Sequence, residues 1–177
     1  MLAIQSRIRF GRYLLYSNFM IYNQDSLELN ETIEAWQEFV NQNDWRELIN
    51  GVTPKQSDCL VYELPNYLSR DNEEFVIADM RQVPFSAPHY HPEKDIEIYV
   101  VLQGNASMVV GFEEQRVTMG DVIVIPPYSA HYAIPDKDFV IAAVSVPPFN
   151  QNNFILITEN QPGVKFSKEQ FEKLTKK

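Results

Sequence analysis

The stretch PHYHPEKDIEIYVVLQG, residues 88–104, places His89 and His91 one residue apart and sets a carboxylate, Glu97, at the head of an apolar run. The remaining histidine of the chain, His131, follows the tight turn PPYSA. Residues two apart on a strand point to the same side, so His89 and His91 would present two imidazoles together, as a strand does when it offers two nitrogens to one ion. Alternation through EIYVVLQ sets Glu97, Tyr99, Val101 and Gln103 on one face and Ile98, Val100 and Leu102 on the other. Glu97 and Tyr99 would then face a barrel interior. His131 can supply a third nitrogen if its strand lies beside the first pair. The competing expectation is a set of buried, hydrogen-bonded histidines in an empty barrel.

The elements that must position these side chains are short apolar segments with turn residues between them. DCLVYEL, EFVIADMR, IEIYVVLQ, ASMVVGF, EQRVT, DVIVI, HYAI, FVIAAVSV and FILI follow one another from residue 57, punctuated by Gly104-Asn105 and Gly120-Asp121. No crossover helix intervenes, so the pattern predicts an antiparallel sandwich or barrel. Ahead of it, Asn30 with Glu31 and Glu34 reads as a helix start, and Ile33, Trp36, Phe39 and Val40 fall at helical spacing. A second turn holding Trp45, Leu48 and Ile49 would end at Asn50-Gly51. We expect these helices to cover the barrel. Near the C-terminus, Ser167 and Gln170 form a capping box before KEQFEKLTKK, a helix expected to be a solvated flap. The expected organisation is therefore a helical extension packed on the barrel at 1–56, the barrel at 57–157, and a tail with a short helix at 158–177.

A chain of 177 residues that is 45% hydrophobic can close one substantial core. Its net charge of -9 offers nothing to neutralise a phosphate backbone, so neither nucleic acid nor an anionic membrane is an expected partner. The single cysteine, Cys59, excludes an internal disulfide, fits a cytoplasmic location, and reads as a small hydrophobe on its strand. The first 22 residues carry three arginines and no acid, but no apolar core precedes a cleavage site, so no targeting segment is expected there. Met20 offers an alternative start.

At the histidines and their flanks the sequence resembles the cupin superfamily. The family's first motif runs glycine, five residues, His-X-His, three or four residues, Glu, six residues, glycine; His89, His91, Glu97 and Gly104 match it. Gly120, Pro126 and His131 match the second motif in register. Val83, Tyr128 and Pro135 depart from the motif's two glycines and its asparagine, and five residues separate His91 from Glu97. That longer loop brings Glu93 and Asp95 into competition, but only Glu97 keeps the register to Gly104. The resemblance covers roughly residues 57 to 150. It implies a mainly β fold, a double-stranded β-helix or jelly-roll barrel, with a divalent metal held inside by His89, His91, Glu97 and His131.

Such a donor set suits Fe(II), Mn(II), Ni(II), Co(II) or Zn(II) and leaves coordination positions open. With Fe(II) the expectation is a dioxygenase acting on a small organic molecule, with Glu97 and Tyr99 as catalytic candidates. The alternatives are a metal-dependent sugar or sugar-phosphate isomerase and a non-catalytic sensor. A phosphorylated sugar would need Arg81, Arg116 or Lys137 turned inward. Met80, Tyr99, Met108, Phe112 and Tyr132 are the candidate walls of a partly apolar pocket. Open sheet edges need covering, so a homodimer is expected.

Overall fold

In the computed structural model, the residues described are 13–15, 31, 34–36, 38, 39, 42–56, 58–64, 73–92 and 95–176. The expectations for Asn30, Ile33, Val40, Glu93 and Met20 lie outside them. The strands in chain order are β1 (Tyr13–Leu15), β2 (Lys55–Gln56), β3 (Leu60–Glu63), β4 (Glu74–Asp79), β5 (His89–Tyr90) and β6 (Ile96–Gln103). After these come β7 (Asn105–Val110), β8 (Glu113–Thr118), β9 (Val122–Ile125), β10 (His131–Pro135), β11 (Val140–Val146) and β12 (Ile155–Leu156). Helices α1 (Trp45–Leu48) and α2 (Lys168–Thr175) accompany them, and residues 31, 34–36, 38, 39 and 42 are also helical.

The strands form two facing sheets. One has the order β1-β9-β6-β11-β4-β3-β2 and the other β12-β5-β10-β7-β8. The pairings are antiparallel except for β1, which joins β9 in parallel. This is the antiparallel sandwich that the strand pattern predicts and the jelly roll that the family resemblance implies. The turn between β6 and β7 depends on Gly104: its φ is +76°, and a Cβ there would lie 2.4 Å from the Asp138 carbonyl oxygen.

Both faces of each sheet are buried, which gives the molecule three apolar layers. Between the sheets lie Met80, Val101, Met108, Val117, Phe139 and Ile141. Outside the larger sheet, Phe75, Ile77, Ile98 and Val100 pack under Trp36 and Trp45. Trp36 stacks on Phe75 with ring centroids 4.5 Å apart. The third layer lies outside the smaller sheet, where Tyr90, Val109 and Tyr132 are covered by Phe166, Phe171 and Leu174.

That third layer corrects the expectation for the C-terminal helix. Ser167 caps α2 by accepting from the Gln170 N–H at 3.2 Å, as the capping box predicts. The helix is not a solvated flap, however, because Phe171 meets Tyr132 edge-on at 5.1 Å and Phe85 at 5.3 Å. An apolar outer face on a sheet must be covered, and α2 covers it. Outside the larger sheet, Asp44 caps α1 by accepting from the Arg46 N–H, and Gly51 takes the left-handed conformation expected after Asn50.

Candidate metal centre

His89 on β5 and His131 on β10 are direct cross-strand partners, and His91 follows two residues after His89. His89 and His131 stand on the smaller sheet, and His91 lies just past the end of β5. Glu97 faces them from β6 of the larger sheet. One ligand atom from each of the four side chains lies within 4.8 Å of every other, and all four residues are buried, His131 completely. The structure therefore brings together the four residues that the spacing singles out.

The backbone fixes which ring nitrogen faces the centre. His89 Nδ1 lies 2.9 Å from the Ala87 carbonyl, His91 Nδ1 3.0 Å from that of Asn153, and His131 Nδ1 3.1 Å from that of Ser129. A carbonyl can only accept, so each Nδ1 carries a proton and each ring turns its Nε2 inward. His91 Nε2 and His131 Nε2 come within 3.1 and 2.9 Å of Glu97 Oε2. Both nitrogens are buried, and beyond this contact with Glu97 neither has a hydrogen-bond partner. Ring nitrogens converging on a carboxylate call for positive charge among them. Three nitrogens and a carboxylate oxygen so placed could hold a divalent ion. The imidazoles are oriented through their outer nitrogens, as metal-binding histidines usually are.

The electrostatics of the cluster centre on Glu97. Burial pushes His89 down to about 3, with the neighbouring His131 adding to the effect. Burial would raise Glu97, but His131 and His91 outweigh it and hold the carboxyl well below its usual range. For His91, burial opposes charging, and the Glu97 carboxylate overrides it to raise the ring. Tyr99 is pushed well above its usual value by burial and by Glu97, to whose Oε2 its hydroxyl donates at 3.0 Å. The pocket keeps Glu97 ionised and calls for positive charge beside it.

A cavity of about 430 Å³ opens over this cluster, with His89, Glu97 and Tyr99 in its wall. Its apolar lining includes Val61, Val76, Met80, Ile141, Phe149 and Phe154. Phe154 stacks on His89 with ring centroids 4.2 Å apart. The neighbouring Asn153 holds His91 through its carbonyl and donates its side-chain amide to Asp95 at 2.7 Å. Asp95 thus supports the β11–β12 segment and is not among the four clustered residues. Sequence reasoning passed over Phe149, Asn153 and Phe154, since no local pattern ties that segment to histidines 62 residues upstream.

Several expected wall and clamp residues lie elsewhere. Met80 and Tyr99 line the cavity, whereas Met108 is buried deeper in the inner layer. Phe112 is 58% exposed at a hairpin tip, and Tyr132 faces outward under α2. Arg81 is held by Asp79 and Arg116 by Asp136, while Lys137 is exposed; none of the three reaches the cavity.

Residues 80–146 match the family model described as the cupin domain. No curated protein matches the chain. Among solved structures, a Streptomyces PAC13 variant with uridine superposes with a TM-score of 0.52 at 11% identity, covering 69% of this chain and 92% of that one. A protein from Planctomyces limnophilus gives 0.52 at 20% identity, covering 61% and 92%. An RmlC-like cupin from Shewanella frigidimarina gives 0.48 at 15% identity, covering 57% and 86%. The first two likenesses carry the fold and nothing finer.

Proposed function

We propose that this chain, whose residues 80–146 match the cupin domain model, is a metal-dependent enzyme, an Fe(II)-dependent dioxygenase of a small organic molecule. The observation that carries this reading is the set of three buried Nε2 atoms, each oriented by an Nδ1 held at a carbonyl, clustered with Glu97 at a cavity wall. His89, His91, His131 and Glu97 would hold the ion. A bound divalent ion supplies Lewis acidity, and Fe(II) adds one-electron chemistry with dioxygen. Tyr99 keeps a proton on its oxygen and shares it with Glu97, so a donor stands at the edge of the site. Val61, Val76, Ile141 and Phe149 exclude water and seat an apolar body.

The walls favour the oxygenase over the sugar-phosphate isomerase. A phosphate would need a free inward cation, and Lys55, the basic residue of the lining, is already paired with Glu63. The test is metal analysis of protein purified without chelators, then reloading with Fe(II) and oxygen uptake over a panel of small organic compounds. Stoichiometric metal and substrate-dependent oxygen consumption are expected. Protein that neither retains nor takes up metal would overturn the reading. Metal binding with turnover but no oxygen consumption would favour the isomerase, and binding without turnover a sensor.

A further inference from the structure

Ser145 on β11 pairs with Glu97 on one side and with Glu74 on the other, so the three lie in a row across neighbouring strands of the larger sheet. All three face the cavity. Glu97 belongs to the metal end. Glu74 is half-buried, and among the described residues it makes no hydrogen bond or ion pair.

The charges around it are one-sided. Lys55 and Glu63 cancel as a pair, and Asp58 accepts from the Ala87 N–H. Arg81 and Arg116 are each bound to an acid outside the cavity. Away from the four clustered residues, the cavity wall is therefore negative, and Glu74 is the carboxylate on it without a partner among the described residues. A carboxylate half removed from water attracts a cation more strongly than one on an open surface, and an anionic group would be repelled.

We propose that the cavity selects a substrate bearing a cationic nitrogen, an ammonium or guanidinium, which Glu74 receives while a donor at the other end of the molecule reaches the metal. The proposal rests on reading the four clustered residues as a metal centre. Neighbouring strands lie about 4.8 Å apart, so two steps put the Glu97 and Glu74 backbones roughly 10 Å from each other. A short aliphatic chain between chelating head and cationic tail spans the gap between the side chains, against the apolar lining of Val76 and Ile141. The net charge of -9 would also draw such a molecule toward the protein.

Three chelators of equal length separate the possibilities: hexanohydroxamic acid, ε-aminohexanohydroxamic acid and adipic monohydroxamic acid, titrated calorimetrically into Ni(II)-loaded protein. The hydroxamate engages the metal in all three, and only the tail differs. The amine should bind about tenfold more tightly than the neutral compound, and the acid more weakly than both. In Glu74→Gln the advantage of the amine should vanish while the neutral compound binds as before. Equal binding of the three, or preference for the acid, would overturn the proposal and leave the metal centre standing. An amine preference that survives Glu74→Gln would overturn the assignment to Glu74. If no hydroxamate binds, the metal-centre reading fails and the proposal falls with it.

Discussion

The two faces of the larger sheet are made from alternate residues of the same strands, yet they are built to different standards. On the outer face of β4 and β6, Phe75, Ile77, Ile98 and Val100 are almost wholly buried under Trp36 and Trp45. The polar group admitted there is matched, with Trp36 Nε1–H donating to Glu73 at 2.6 Å. On the inner face, Glu97 confronts two buried ring nitrogens at 3.1 and 2.9 Å, and Glu74 makes no hydrogen bond or ion pair among the described residues. One face is optimised for packing. The other keeps unmatched polar atoms that a folded core would discard, and such exceptions concentrate where function needs them.

If that division is right, substitutions on the two faces should give opposite signatures. The largest effect is expected for His91→Ala, which removes one converging nitrogen: bound metal should fall to near nothing, with affinity down by more than about a hundredfold. Thermal stability of the metal-free protein should change little, because the removed group has an unmatched Nε2. Metal analysis and melting curves with and without chelator check both halves. Next comes Phe75→Ala on the outer face, expected to cost about 3–5 kcal/mol in urea unfolding while the folded protein keeps its full metal content. Metal loss in Phe75→Ala, or global unfolding in His91→Ala, would break the comparison. A smaller effect sharpens it. Asn153→Ala deletes the amide that ties the β11–β12 segment to Asp95 but keeps the carbonyl that orients His91, so metal affinity should weaken by about tenfold without loss of stoichiometry.

How much of this could be read in the chain depends on whether the signal is local. The period of two through EIYVVLQ places Glu97 and Tyr99 inward, and His-X-His places two imidazoles on one side; both hold because strand geometry decides them residue by residue. Tyr128 is instructive. It stands where the family motif carries glycine, and its φ of 57° keeps the left-handed backbone that glycine would adopt, so the turn before His131 survives the substitution. What escaped is what depends on tertiary partners. The amphipathic α2 looks the same in sequence whether it faces water or a sheet, and only the apolar outward row of Tyr90, Val109 and Tyr132 decides. Arg81 lies at the end of an inward-facing strand, but Asp79 two residues earlier captures it first. β1 escaped too, since its parallel pairing with β9 bridges more than a hundred residues.

The Asp79–Arg81 pair gives the smallest and most specific test of where the outer layer gains stability. Asp79 is buried and accepts from the Arg81 backbone N–H and from Nε and Nη2, while the guanidinium carbon sits 5.7 Å from the Trp45 ring centroid. Burial works to raise the Asp79 carboxyl, but the Arg81 hydrogen bonds outweigh it, and the group titrates below its ordinary value. A carboxyl depressed in the folded state contributes stability that is present above the unfolded pKa and lost as the pH falls through the folded one. Arg81→Ala should therefore cost about 1 kcal/mol near neutrality, a modest figure because the arginine side chain is 43% exposed. The difference from the parent protein should shrink below about pH 4 as Asp79 takes up its proton. Urea unfolding of both proteins across that range measures it. A difference that stays constant with pH would mean that Arg81 acts by packing on Trp45, and the outer layer would then owe nothing to charge.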